Sequence, residues 1–118
     1  MNTISHSVSG NSLFLSSIGS GEKRVDFAWP IAEVLNCDDV LVVRIDPDPG
    51  SKDNENIFGV DANGAVVWKV PARKYIYDDS PYTGIKKVGN NVQLFNWDGT
   101  ELLVDPSTGG VVQETYGR

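Results

Sequence analysis

The chain has one cysteine, one histidine and one methionine among its 118 residues. The lone cysteine, Cys37, excludes an intrachain disulfide. The lone histidine, His6, has no second histidine or cysteine beside it and does not read as a transition-metal ligand. No apolar run approaches the roughly 20 residues of a membrane-spanning helix, and Val40-Leu41-Val42-Val43 is strand-sized. Met1 to Ser7 has no basic stretch leading into an apolar one, so the expectation is an unprocessed cytoplasmic protein without membrane association. Glycine-rich phosphate loops, nucleophile elbows and paired-histidine zinc motifs are all missing. With no acid, base and nucleophile set in view, the chain is expected to be no enzyme and to need no cofactor.

Positive charge is scarce as well. Ten Lys and Arg face sixteen Asp and Glu, a net charge of −6. Such a surface repels phosphate backbones, which argues against nucleic acid. It suits a basic protein partner or divalent cations, and it supplies solubility in any case. The hydrophobic fraction, 40%, is that of a globular protein, and the length is that of one domain, residues 1–118.

What the chain does have is a motif written twice. Ile57-Phe58-Gly59-Val60-Asp61-Ala62-Asn63-Gly64-Ala65-Val66-Val67-Trp68 reads as strand, tight turn, strand. Leu102-Leu103-Val104-Asp105-Pro106-Ser107-Thr108-Gly109-Gly110-Val111-Val112-Gln113 reads the same way, and Asp61 and Asp105 lie 44 positions apart. A period of that size marks a sheet-building repeat. Upstream, Val40 to Ile45 followed by Asp46 parallels Val92 to Trp97 followed by Asp98. These aspartates are 52 apart, the longer loop at Asp46 to Asn54 absorbing the difference. The repeat units are therefore about 38–70 and 84–116, each with at least three antiparallel strands. A weaker half-copy is expected around Gly10-Asn11-Ser12-Leu13-Phe14-Leu15.

Elsewhere the pattern is strands and turns. Ile4 to Val8 alternates, and Leu13, Phe14, Leu15 and Ile18 form a second run that breaks at Gly19-Ser20-Gly21. Trp29-Pro30-Ile31-Ala32-Glu33-Val34-Leu35 is the one helix-like patch: proline suits a first helical position, and Ile31, Val34 and Leu35 share a helical face. A short helix is expected near residues 30–36. Asn63-Gly64 is a strong hairpin turn, because both residues reach positive φ at modest cost. Gly117 and Arg118 read as a frayed end.

These residues resemble the quinoprotein-type, or PQQ-like, β-propeller repeat. That family writes an apolar strand, an Ala-Leu-Asp-Ala-x-Thr-Gly-like turn and an apolar strand ending in Trp. Phe58 to Trp68 is similar with a turn one residue shorter, and Val104 to Val112 matches the turn but lacks the tryptophan. The resemblance implies blade-like sheets. A closed ring needs at least about four blades, so two copies imply a different arrangement. The expected fold is all-β: an antiparallel meander of two blade-like sheets, as a small sandwich or partial propeller, with roughly eight or nine short strands. Without a hub, the family's quinone cofactor and catalytic residues are not carried over. Asp61, Asp105 and their glycines are expected to shape turns.

Two segments carry candidate chemistry. Asp46, Asp48, Asp53 and Glu55 crowd one loop, and calcium favours clustered carboxylates. The EF-hand spacing fails, since the twelfth position from Asp46 is Ile57, and Pro47 and Pro49 restrict the wrap. No metal is expected, with Asp46, Asp48 and Asp53 as the candidates should one bind. Lys74 to Tyr82 is a long connection rich in tyrosine and aspartate, and loop tyrosines give large contact area at low entropy cost. Its partner-binding candidates are Tyr75, Tyr77, Asp78, Asp79 and Tyr82; the competing reading is that some of these rings cap the core. Cys37 and His6 could form a nucleophile and base only if the fold joined them, and Cys37 reads instead as a small core residue.

The first functional reading is a non-catalytic protein-interaction module, in its most concrete form a small acidic immunity or inhibitor protein that neutralises a basic partner. The alternative is a small-ligand or calcium-binding module with blade-like repeats. Open sheet edges add the expectation of a homodimer.

Overall fold

Alternation of apolar and polar residues, punctuated by glycine turns, builds strands almost everywhere. The computed structural model describes residues 4–17, 19 and 21–116, which carry eleven strands and no helix. The strands form three antiparallel sheets, each a simple meander. The first contains β1 (Ser5–Ser9), β2 (Ser12–Ser17) and β3 (Gly21–Asp26). The second contains β4 (Ile31–Cys37), β5 (Val40–Ile45), β6 (Ile57–Asp61) and β7 (Val66–Lys69). The third contains β8 (Tyr82–Val88), β9 (Asn91–Asn96), β10 (Thr100–Val104) and β11 (Val111–Tyr116).

The sheets stack with the second in the middle. Leu41, Val43 and Ile45 of β5 pack with Ile4, Leu13, Leu15 and Val25 of the first sheet. Val42 points the other way, into a cluster with Ile57, Trp68, Val70 and the third sheet's Ile85, Val92, Leu94, Leu102 and Val104. Both faces of β5 are thus covered from Val40 to Val43, which is why that stretch is a continuous apolar run without alternation. In β9 only one face is covered: Val92, Leu94 and Asn96 are buried, while Asn91, Gln93 and Phe95 are not.

The all-β class holds, with three corrections. Residues 30–36 are not helical but form the first strand of the middle sheet. Its Ile31, Val34, Leu35 and Cys37 are half-buried while Ala32 is exposed, and it pairs with β5 from Ile31↔Ile45 to Cys37↔Val40. There are three sheets rather than two, because the N-terminal half-copy builds one of its own. The aligned positions also shift by one: the Asp46 N–H donates to Pro30 O at 2.7 Å and the Trp97 N–H donates to Pro81 O at 3.0 Å, so Asp46 corresponds to Trp97 and not to Asp98. Ile18, Ser20, Gly117 and Arg118, together with the first three residues, lie outside the described residues.

The first sheet matches the last three strands of a four-stranded unit. Lys23 of β3 stands over Gly64, in the turn of the second sheet, as Trp68 of β7 stands over Gly109, in the turn of the third. The chain then reaches the next first strand through residues 27–30 in one case and 70–81 in the other. The second crossing is the longer one, and its extra residues fold against the β5–β6 loop, where the Asp79 carboxylate accepts the Gly50 N–H.

Candidate functional site

Three loops meet at one end of the stack: the β5–β6 loop, the crossing from β7 to β8, and the β9–β10 turn. Buried asparagines lock them together. Asn56 is fully buried; its Nδ2 donates to the carbonyls of Ile45 and Tyr82, and its Oδ1 accepts the Tyr82 N–H at 2.8 Å. Asn54 accepts the Ser80 N–H at 2.7 Å and donates to Asp78 O at 2.8 Å. Asn96 donates to Ser80 O at 2.9 Å and accepts from the Ser80 hydroxyl. A buried polar network of this kind fixes its loops because every member is paired. The loop end is therefore a rigid platform.

The inner part of the crossing is anchored by charge. Arg73 stacks on the Tyr75 ring, 5.1 Å from its centroid, and pairs with Asp98 at 3.3 Å and Glu114 at 3.2 Å. Burial works against the Asp98 charge. The N–H and hydroxyl of Thr100, the Ile76 N–H and the Arg73 guanidinium together outweigh it, and the carboxyl is held below the usual carboxylate range. Burial, with a 2.7 Å hydrogen bond to Glu55, pushes the Tyr75 phenol well above its ordinary value.

On the outside of the platform a cleft of about 340 Å³ opens. Its floor and walls include Pro47, Pro49, Pro81 and Trp97, and its acidic rim is Asp46, Asp48 and Asp79. Trp97 is 64% exposed, unusual for an indole in a globular protein. Its position follows from the alternation of β9, which sends Asn96 inward and the next residue outward, just before the turn closed by the Gly99 N–H on Asn96 O. Asp79 also holds the β5–β6 loop: its carboxylate accepts the Gly50 N–H at 2.8 Å and the Lys52 N–H at 3.2 Å. The cleft volume is near the low end of ordinary ligand sites, roughly 300–1,000 Å³.

The sequence candidates divide between this surface and the interior. Asp79 lines the cleft, and Tyr77 and Asp78 are exposed on the same crossing. Tyr75 is half-buried against Arg73, and Tyr82, 1% exposed, is a core residue. Asp46 and Asp48 line the cleft, while Asp53 accepts the Trp29 indole N–H at 2.7 Å. Among the described residues no three His, Cys, Asp or Glu gather as a metal site. His6 and Cys37 line different clefts, and burial raises the Cys37 thiol, which disfavours the thiolate. Trp97 is the cleft residue that sequence reasoning missed. A large aromatic at the strand–turn junction Asn96-Trp97-Asp98-Gly99, out of phase with the buried Val92 and Leu94, was the available signal.

The turn aspartates act as expected. Asp61 Oδ1 accepts the N–H groups of Asn63 and Ala65, and Asp105 Oδ1 accepts the Ser107 N–H and hydroxyl.

Comparison with known proteins places this architecture. The chain belongs to the family described as Domain of unknown function (DUF7957), which matches residues 3–116. No curated protein matches it. Among solved structures it is similar to BamB from Moraxella catarrhalis, a PQQ-like β-propeller protein, at a TM-score of 0.63 and 23% identity over 93% of this chain. It is also similar to the computationally designed Ika8 protein, at a TM-score of 0.58 and 14% identity over 96% of this chain. The chain spans about a third of the length of these two, 34% and 36%. The likeness is one of fold.

Proposed function

We propose that this member of the DUF7957 family is a non-catalytic protein-interaction module whose loop end receives a basic protein, in its most concrete form as an acidic inhibitor of immunity type. One observation carries the reading: the fold gathers Asp46, Asp48 and Asp79, distant in sequence, around the exposed Trp97. Tryptophan is enriched among interface hot spots, interface rims are polar, and a chain of net charge −6 attracts a cationic partner over distance. Tyr77 and Ile76, 55% and 53% exposed, extend the surface along the crossing.

The test is affinity capture on the immobilised full chain, followed by titration of the purified recovered protein. A basic protein is expected, with affinity that falls as ionic strength rises. Asp46→Lys combined with Asp48→Lys should weaken it about tenfold or more. Affinity indifferent to that double reversal and to salt overturns the reading. Self-association is a separate part of it: the edge strands β7 and β11 expose Val66, Val67, Val111 and Val112. A monomer by light scattering at every concentration removes that part.

A further inference from the structure

We infer that the cleft takes the guanidinium group of an arginine side chain presented by the partner, stacked on Trp97 and paired with Asp46 and Asp48. This rests on the reading of the loop end as a surface for a basic partner, and it names the group that is recognised.

The chain itself contains the same arrangement twice, each time with its own arginine in place. Arg24 lies over the Phe14 ring, 5.6 Å from the centroid, with its Nε on Asp26 at 2.9 Å. Arg73 lies over Tyr75 at 5.1 Å, with Asp98 beside it at 3.3 Å. Trp97 with Asp46 and Asp48 is a third aromatic face beside carboxylates, and the residues lining its cleft include no lysine or arginine. Both aspartates are exposed, and among the described residues no salt bridge engages either. Asp79 accepts the Gly50 and Lys52 N–H groups, one on each oxygen, which fixes its carboxylate at the rim of the cleft.

The walls select guanidinium over ammonium. Three proline rings, of Pro47, Pro49 and Pro81, and an indole face make up most of the wall and offer a small hydrated ammonium ion no hydrogen bonds from their rings, which leaves the Thr83 hydroxyl as the wall's one side-chain acceptor beside the carboxylates. A guanidinium is planar and weakly hydrated; it lies on an aromatic face and directs its N–H groups outward in the plane, toward carboxylates at the rim. Indole is the strongest of the aromatic faces for such a cation. The repeat produces the pairing, because Asp46 and Trp97 occupy the same position in successive units and so stand side by side at one end.

The test uses the full ¹⁵N-labelled chain titrated with three capped tripeptides, Gly-Arg-Gly, Gly-Lys-Gly and the neutral isostere Gly-citrulline-Gly, followed at the indole N–H resonances. Trp29 and Trp68 are internal controls, since their indole N–H groups are held by Asp53 and by Pro106 O. The arginine peptide is expected to move the Trp97 resonance and leave the other two. The lysine and citrulline peptides should bind at least tenfold more weakly. Trp97→Ala and Asp46→Asn should each lose at least tenfold for arginine, with thermal melts confirming that the variants fold. Equal binding of the three peptides, or shifts that spare Trp97, overturns the inference. If the arginine peptide fails while a basic protein still binds in a manner sensitive to Asp46→Lys and Asp48→Lys, the inference falls and the broader reading stands. If that sensitivity is also absent, both fall.

Discussion

Trp68 of the second sheet closes its indole over Gly109 of the third, and its Nε1 donates to the Pro106 carbonyl oxygen at 2.7 Å. A Cβ on Gly109 would lie 2.6 Å from the ring, and one on Gly59 would lie 2.1 Å from Nε1. The tryptophan is thus clamped between a glycine of its own sheet and a glycine of its neighbour. The third sheet has lost both halves of the device: Leu103 stands where Gly59 stands, and its cross-strand partner is Gln113 where Gly59 has Trp68. No further sheet docks on it among the described residues, and its outer face is mixed, with half-buried Phe95 and Leu103 beside Gln93, which donates to Glu101.

Gly109→Ala should therefore be far more costly than Gly89→Ala. Both glycines have positive φ, +75 and +59, but nothing lies within 4 Å of a Cβ on Gly89. Backbone strain alone costs about 1–2 kcal/mol, and overpacking against the buried Trp68 adds about 1–3 kcal/mol. Urea unfolding of the two variants reads the difference, and equal losses would remove the clamp as a source of stability.

Asp98 should set the acid side of the stability curve. Its folded pKa lies below the unfolded value of about 3.9. The unfolded chain therefore binds the proton first as pH falls, and the stabilisation present above pH 4 is lost as pH drops through the folded pKa. Asp98→Asn should cost about 1.5–3 kcal/mol at neutral pH, the range for hydrogen bonds to a charged group. It should also flatten the decline below pH 4. Chemical denaturation at several pH values checks both parts. A variant whose loss is the same at pH 3 as at pH 7 would show that the Asp98 charge contributes nothing.

Most of the scaffold is legible in the sequence because its signals are local. Strand alternation, the Asn63-Gly64 hairpin and the Asp61 and Asp105 corners each depend on a few neighbouring residues. The strand at Ile31–Cys37 imitates a helix because it is short and half-covered on both sides, so its apolar residues follow no clean period, and proline at position 30 mimics a helix start. The cleft is legible only in parts. Asp46, Asp48 and Asp79 each stand out in the sequence, but their assembly around Trp97 depends on how far the Pro71–Pro81 crossing folds back, and that is fixed by Asn54, Asn56 and Asn96. Buried asparagines look like ordinary loop residues in a sequence. Tyr75 and Tyr82 mislead in the opposite direction: tyrosine on a connection looks exposed until the connection is seen to be tucked under Arg73.

Tyr82→Phe should be neutral or stabilising, by up to about 1 kcal/mol. The Tyr82 hydroxyl is buried near the Tyr75 phenol but makes no hydrogen bond of good geometry among the described residues, and such a group carries much of its desolvation cost. Burial pushes its pKa up to about 12. A folded pKa above the unfolded value of about 10 means stability that is complete below pH 10 and declines as pH rises from there. Phenylalanine removes this ionisation, so the variant should lose less than the native chain between pH 10 and 12. A clear loss of stability at neutral pH would mean that the hydroxyl makes an interaction the observed geometry does not contain.

Asp79→Ala should loosen the β5–β6 loop without unfolding the protein. The Asp79 carboxylate spans the Gly50 and Lys52 N–H groups, and Lys52 itself sits at φ +60, a conformation a lysine does not hold without support. The rest of the platform is held independently, by Asn54 on Ser80 and Asn56 on Tyr82. Hydrogen exchange at Gly50 and Lys52 should accelerate strongly, while exchange in β5 and β9 stays as it was. Asp48 and Pro49 form one wall of the cleft through this same loop, so affinity for a basic partner should fall even though Asp46, Asp48 and Trp97 are untouched. Asp79→Asn separates the two contributions of the residue: the amide oxygen can still accept one of the two N–H groups, but the charge is gone. If loop order rather than charge is what Asp79 supplies, the asparagine variant should recover part of the exchange protection and part of the affinity together. Recovery of protection without any affinity would assign Asp79 a direct electrostatic part in binding.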